Sequence, residues 1–331
     1  MIATTPVANP LCTVIIVTWN RRRELEAALD SVFAQSIAPR LEVIVVDNAS
    51  QDGTVDWLAN EYPHPVRLYA YDRNAGASHG RNAAIRLARA PHVAFLDSDA
   101  LLLEPMAIER CLAALAANPG VRACGGRIWF DRARTRVFTF GGYITPDGHF
   151  CGPRTRTRDD DPDFLSTCFS VWETALLREL RGFDSWYFWG IEDMDLALRA
   201  RWNARRGRTT AASRFLVVEG ADALHEMAAG GRHYQPGDFH RVFHAIERQR
   251  LYLVLAYGGV LEFFRVLLRT PLRLDRVERD AWEQPLGWRK RLWCAVLYPL
   301  NRLARLPMDL WHQRRDHLAT TPMPREVQPR R

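Results

Sequence analysis

His92-Val93-Ala94-Phe95-Leu96-Asp97-Ser98-Asp99 is a short apolar run that stops at two carboxylates one residue apart. The run has the length of a buried strand, and the acids fall where that strand would end. In open α/β sheets, ligands bind outside the carboxyl ends of the strands. Carboxylate oxygens at such an edge can hold Mg²⁺ or Mn²⁺ against a diphosphate, which makes a nucleoside-diphosphate substrate the leading idea. The same tripeptide is also ordinary turn chemistry, because Asp and Ser side chains bond readily to nearby backbone. Its surroundings decide which reading holds.

Toward the amino terminus, β-branched runs alternate with helix-like segments. Cys12 to Thr18 reads as a buried strand, Arg22 to Gln35 as a helix with Leu25, Ala28, Leu29 and Val32 on one face, and Leu41 to Val46 as a second strand. Asp52-Gly53 opens a short helix through Trp57 and Leu58. Val66 to Ala70 is a third strand, Ala75 to Arg89 a helix, and His92 to Leu96 the fourth strand. This alternation predicts right-handed crossovers and an α/β fold: a Rossmann-like, mostly parallel sheet with helices on both faces. A dinucleotide-binding dehydrogenase needs a Gly-rich turn after its first strand. Here that turn reads Thr18-Trp19-Asn20-Arg21-Arg22, without glycine, which argues against an oxidoreductase.

On the carboxyl side the pattern loosens. Pro105 to Ala116 reads as a helix, Val121 to Phe130 and Arg136 to Tyr143 as strands, and the charged stretch Arg154 to Asp163 as a loop. A glycine-punctuated aromatic segment, Gly182 to Ile191, leads into a helix from about Glu192 to Arg206. A strand from Thr209 to Val218 follows, and then His225. Beyond Gly230 come segments rich in Arg and Trp: Phe239 to Tyr257, Val260 to Arg269 and Trp288 to Trp311. Glu262, Arg265, Arg302 and Arg305 interrupt any run of the roughly 20 apolar residues that a membrane-spanning helix needs.

Net charge is +7, and residues 232–331 hold 19 Lys plus Arg against 10 Asp plus Glu, so the basic excess lies in the last third. Basic helices bearing Trp288, Trp293, Tyr298 and Trp311 suit an anionic membrane surface. Packing back on the remaining chain is the competing expectation. The six cysteines are scattered, and Met1 to Pro10 carries neither a basic start nor an apolar core. Reduced thiols and a cytoplasmic location, peripheral on the membrane face, are therefore expected.

Five motifs occur together: V-T-W-N-R from Val17, V-V-D-N-A-S-Q-D-G-T from Val45, N-A-G-A-S-H-G-R-N from Asn74, D-S-D from Asp97, and G-F-D-S-W-Y-F-W-G-I-E-D-M-D-L-A-L-R from Gly182. In this order the set resembles the family-2 glycosyltransferases of the GT-A fold, in their rhamnosyltransferase-like branch, over about residues 11 to 230. The resemblance implies a catalytic domain over 1–230. A basic amphipathic helical extension is then expected over 231–318 and a disordered tail over 319–331.

It further implies an inverting transfer of a sugar from a UDP- or dTDP-sugar to a hydroxyl of a glycan or lipid-linked acceptor in cell-surface polysaccharide synthesis. Thr18, Asn20, Asp47, Asn74, Gly76, Arg81, Asp97 and Ser98 match nucleotide-sugar positions. Asp97 and Asp99, with His225, match ligands of a divalent cation, Mn²⁺ or Mg²⁺. A carboxylate at Asp47 can accept from the imide N–H of uracil or thymine.

Glu192 and Asp193 match the catalytic pair, with Asp193 as base. Asp195 instead reads as a helix charge paired with Arg199 four residues on. Trp186, Trp189 and Gly190 are expected at the acceptor, where flat rings stack on sugars. Trp172 and Glu173 depart from the family pattern and are expected to reshape that pocket. Two other readings stand beside this one: a sugar nucleotidyltransferase, whose Gly-rich basic loop is missing here, and a non-catalytic nucleotide-sugar-binding or membrane-surface scaffold. Nothing in the sequence calls for nucleic acid as a partner.

Overall fold

A computed structural model describes residues 7–139, 141–144, 150–151, 162–187, 190–205, 214–225 and 317–328, together with residues 251, 254, 255, 257, 261 and 263–267. The chain divides into two compact units, one of residues 1–143, 151–232 and 316–331, the other of 144–150 and 233–315. The first unit carries the sheet.

Its first half is the strand-helix alternation: β1 (Cys12–Thr18), α1 (Arg22–Phe33), β2 (Leu41–Asp47), α2 (Thr54–Asn60), β3 (Arg67–Ala70), α3 (Ala77–Leu87) and β4 (His92–Leu96). There follow β5 (Ala100–Leu102), α4 (Ala107–Ala117), β6 (Val121–Gly125), β7 (Ile128–Trp129), β8 (Val137–Thr139), β9 (Tyr143–Ile144) and β10 (Phe150–Cys151). The remainder comprises β11 (Phe169–Glu173), α5 (Thr174–Glu179), α6 (Glu192–Arg205), β12 (Arg214–Val217), β13 (Ala223–His225), a short helix His317–Thr320 and β14 (Arg325–Glu326). On α1, Leu25, Ala28, Leu29 and Val32 are all fully buried, as their spacing requires of one helix face. The carboxyl-side strand expected from Val121 to Phe130 is broken into β6 and β7, which join different sheets.

The main sheet has eight strands in the order β12-β6-β11-β4-β1-β2-β3-β14. β4, β1, β2 and β3 run parallel, with Thr18 level with Asp47 at the carboxyl ends of β1 and β2. β11 runs antiparallel between β4 and β6. A second sheet orders β5-β13-β7-β8 and lies beyond the carboxyl end of β4, since β5 begins three residues after Asp97. Strand β1 is almost wholly buried and β2 completely so, which is why both read as unbroken apolar runs.

The disordered tail expected from residue 319 is corrected over its described part. β14 pairs antiparallel with β3, Arg325 opposite Ala70 and Glu326 opposite Tyr69, and so covers a sheet edge. Two charged residues in a proline-rich stretch give no periodic signal, and only the waiting edge of β3 makes them a strand. The helices expected from Phe239 to Tyr257 and from Trp288 to Trp311 lie largely outside the described residues. No helix among the described residues is long and apolar enough to cross a membrane.

Candidate functional site

Strands β1 and β2 deliver Thr18 and Asp47 side by side to one edge of the sheet. Both are buried, and among the described residues Thr18 Oγ1 and Asp47 Oδ2 have no hydrogen-bond partner. Asp47 Oδ1 accepts from the Ser50 amide at 2.9 Å. Burial raises the Asp47 pKa, against the hydrogen bonds from Ser50. An unmatched buried oxygen costs about 1–3 kcal/mol, so this pair suits a ligand that brings its own donor.

The loops around them are tied to one another. Asn20, at φ 51°, accepts from the Gln51 amide at 2.7 Å, while its own amide donates to Ser50 Oγ at 2.8 Å. The side-chain oxygen of Asn20 therefore fastens the β1–α1 loop to the β2–α2 loop. Asn74 Oδ1 accepts from the Gly76 amide at 2.9 Å, and Asn48 donates to the Gly76 carbonyl at 3.3 Å. Gly76, at φ 88°, turns the chain into α3 in a conformation that side chains resist. Trp19 projects from the same edge with 52% of its surface exposed.

Asp97, Ser98 and Asp99 follow β4 directly. The β5–β13 ladder sets Ala100 opposite His225, which brings the imidazole to Asp99 with Nε2 3.2 Å from Oδ1. Arg21 Nη1 lies 2.8 Å from the other oxygen of Asp99. Burial opposes charge on both partners, but their mutual hydrogen bond and attraction prevail: the Asp99 pKa is lowered and that of His225 raised. Donor atoms of Asp97, Cys168 and His225 lie within 4.8 Å of one another. The Cys168 thiol is pushed well above its usual range by burial and by the charges of Asp97 and Asp99, so it stays protonated. Asp97 and His225 remain, and Asp99, whose Oδ1 lies 3.2 Å from His225 Nε2, adds a second carboxylate, a chemistry that fits a hard divalent cation. Ser98 is buried between the two acids.

Helix α6 opens with Glu192 and Asp193, both buried. Arg81, from α3, reaches between them and the acids of β4. Its Nη1 donates to Glu192 Oε1 at 2.7 Å and its Nη2 to Asp97 Oδ1 at 2.8 Å. Burial disfavours the cation, but the charges of Asp97 and Glu192 outweigh it and raise the Arg81 pKa. Asp193 is pushed up to about 8, first by burial and then by the charge of Glu192, while the Met194 amide and Arg81 pull it down. One oxygen of Asp193 accepts from that amide at 2.8 Å. The approach to α6 is fixed from α3: Ser78 donates to the Tyr187 carbonyl at 2.6 Å, and Asn82 both accepts from and donates to the backbone of Phe183.

Comparison with known proteins matches the glycosyl transferase family 2 model over residues 13–179, just over half of the chain. The chain belongs to that family. The match spans β1 to α5 and includes Thr18, Asp47, Arg81, Asp97 and Asp99. The putative teichuronic acid biosynthesis glycosyltransferase TuaG of Bacillus subtilis is 40% identical over 93 residues, 28% of this chain and 36% of that protein. The succinoglycan biosynthesis protein ExoO of Rhizobium meliloti is 41% identical over 91 residues, 27% of this chain and 26% of that protein. The chain thus spans about a quarter to a third of the length of these curated relatives. A mannosyltransferase from Pyrobaculum calidifontis, solved in complex with GDP-Man and Mn²⁺, superposes with a TM-score of 0.53 at 20% identity, covering 95% of this chain and 87% of that one. TarS 1-349 of S. aureus superposes at 0.50 and 15% identity, covering 93% and 88%. The GT-A fold expected from the motifs is the fold of this family-2 chain.

Against that family pattern, two expectations at the acceptor side change. Trp172 is fully buried, tilted against Phe215 at 5.5 Å and bonded through Nε1 to Ser170 Oγ at 3.0 Å. Glu173 sits level with His92, at the start of β4, and receives Arg122 at 2.5 Å. Both face away from the carboxyl edge that holds the acids, because β11 runs opposite to β4. Trp172 therefore packs the core of this family-2 chain, and Glu173 forms a partly exposed ion pair at the opposite edge from the acids. Trp186 is half-buried, its amide donating to Asp184 at 2.8 Å, and Gly190 stands exposed at φ 125° just before α6. Trp189 lies outside the described residues. Asp195 pairs with Arg199 at 2.8 Å, the helical spacing its sequence indicates. Arg21 and Cys168 are the site residues that the sequence reading passes over. Arg21 stands in the V-T-W-N-R motif and could have been suspected there, whereas Cys168 carries no local signal.

Proposed function

We propose that this chain is an inverting, divalent-metal-dependent glycosyltransferase that moves one sugar from a UDP- or dTDP-sugar to a hydroxyl of a glycan or lipid-linked acceptor in cell-surface polysaccharide synthesis. One observation carries the reading: Arg81 pairs with Asp97, after β4, and with Glu192, which opens α6, and this supports metal-ligand and general-base chemistry side by side. The unmatched oxygens of Thr18 and Asp47 supply the nucleoside end. An imide N–H of the base would donate to Asp47.

Asp97, Asp99 and His225 would hold the cation, which when bound neutralises charge growing on the departing diphosphate. Arg21, paired with Asp99, would add a positive charge beside the same phosphates. Asp193, as carboxylate, takes the proton of the acceptor hydroxyl while that oxygen attacks the anomeric carbon. The carbon–oxygen bond to the diphosphate breaks on the opposite face, which inverts the centre. Burial, and then the charge of Glu192, lift the affinity of Asp193 for that proton. Trp186, Trp189 and Gly190 precede α6 and would border the acceptor.

The likeness to TuaG, of teichuronic acid biosynthesis, and to ExoO, of succinoglycan biosynthesis, supports the acceptor class, and the GDP-Man and Mn²⁺ of the mannosyltransferase support a nucleotide-sugar with a metal. The basic carboxyl-terminal third would hold the protein on a cytoplasmic, anionic membrane surface. The test is release of nucleoside diphosphate from UDP-, dTDP- and GDP-sugars with Mn²⁺, Mg²⁺ or chelator, in wild type, Asp99→Ala and Asp193→Asn. Metal-dependent release from one donor, lost in Asp99→Ala and lowered about 10²- to 10⁴-fold in Asp193→Asn, is expected. Saturable nucleotide binding without release, even with membrane extract as acceptor source, would overturn transfer.

A further inference from the structure

The carboxyl-terminal segment 317–327 is bonded chiefly to the elements that frame the acids. Leu318 donates its amide to the Arg181 carbonyl at 3.1 Å. Arg86, on α3, donates to the carbonyls of Leu318 at 3.4 Å and Thr321 at 3.1 Å. Tyr71, which follows β3, donates its hydroxyl to the Pro322 carbonyl at 2.7 Å, and the Val327 amide donates to Leu68 at 2.9 Å. The segment is therefore fastened at both ends, to α3 and to β3.

Asn82 lies at its centre, one position after Arg81. Its side chain accepts from the Phe183 amide at 2.7 Å, donates to the Phe183 carbonyl at 2.8 Å and donates to the buried Thr321 hydroxyl at 3.3 Å. Next to Phe183, Gly182 takes φ 72°, and a Cβ there would fall 2.4 Å from Asn82 Oδ1 and 2.6 Å from a Leu318 methyl. The turn 181–187 is thus gripped by Asn82 on one side and Leu318 on the other. That turn leads to Glu192 and Asp193, and the helix bearing Asn82 also carries Arg81.

We propose that residues 317–327 act as a clasp whose Leu318 and Thr321 are positioning residues for transfer, setting Glu192 and Asp193 against Arg81 through Asn82 and the 181–187 turn. The proposal rests on the transferase reading above. Leu318 and Thr321 bond to Arg181, Arg86 and Asn82, on the side of the turn that leads to the base, so their effect falls on the alignment of the base. A small displacement of a reacting group costs rate more than affinity.

The experiment uses the full chain as wild type, Thr321→Val, Thr321→Ser and Val327→Pro. Valine keeps the shape of Thr321 and removes its oxygen, and proline removes the amide that holds the far end to Leu68. Two readouts are taken: amide exchange over Phe183 to Tyr187, which needs no turnover, and kcat against donor KM in nucleoside diphosphate release. Thr321→Val and Val327→Pro are expected to speed exchange in that turn and to lower kcat about tenfold, with KM within about twofold and Thr321→Ser close to wild type. Unchanged exchange in Thr321→Val overturns the clasp. Faster exchange with unchanged kcat, or equal loss of kcat, nucleotide binding and thermal stability, overturns positioning and leaves a structural role. Wild-type protein that turns over no donor defeats the transferase reading, and the exchange result then judges the clasp alone.

Discussion

Asp193 is buried against a second carboxylate, and its proton is held up to about pH 8 by burial and by the charge of Glu192. Unfolded, an aspartate loses its proton near pH 4, about its model-peptide value. Between those two values the folded chain binds the extra proton, so the stability this residue contributes is full below about pH 4 and is lost as pH rises through about 8. Thermal melts from pH 5 to 9 should show this decline in wild type, and Asp193→Asn should flatten it. The rate has the opposite sign, because only the carboxylate can take a proton. Nucleoside diphosphate release should climb with pH and level off above about 8. A wild-type rate independent of pH over this range would remove Asp193 from the role of base. At this scale the acids were legible, since Asp97, Asp99, Glu192 and Asp193 sit in ordered motifs at strand and helix ends. Their partners were not. Arg81 spans 16 and 111 residues to reach its two acids, distances along the chain that no local pattern encodes.

Parallel strands β1 and β2 could be read directly because each is rich in β-branched residues, buried on both faces and followed by a helix. β11 escaped that reading. It is five residues long, lies within a longer apolar stretch and passes at once into α5, so neither alternation nor a turn marks it. Its antiparallel insertion between β4 and β6 is what turns Trp172 inward and Glu173 to the far edge of the sheet. Trp172→Ala should therefore lower stability by about 3–5 kcal/mol, as truncation of a large buried aromatic does. Denaturant unfolding measures that loss. Turnover per folded molecule and acceptor KM should stay near wild type, and a selective rise in acceptor KM would return Trp172 to the acceptor pocket.

The polypeptide leaves the sheet-bearing unit near Arg232 and re-enters it near Asp316. Truncation after residue 230 would thus remove β14 and the Thr321 contact along with the basic stretch of sequence, and loss of activity would say nothing about membranes. Charge reversal in the full chain is the cleaner test. Each basic residue near an anionic surface contributes about 1 kcal/mol, and the attraction fades over a screening length of about 10 Å at 0.1 M salt. With 19 basic against 10 acidic residues in 232–331, wild type should sediment with vesicles containing anionic lipid at low salt and detach at high salt. Leu261 and Phe264, both helical and 88% and 37% exposed, add an apolar component that salt does not screen. Arg302→Glu with Arg305→Glu should weaken sedimentation while leaving release of nucleoside diphosphate to a soluble acceptor unchanged. Equal binding to neutral vesicles would assign the association to Leu261 and Phe264, and no binding to either would assign the basic residues to contacts within the protein.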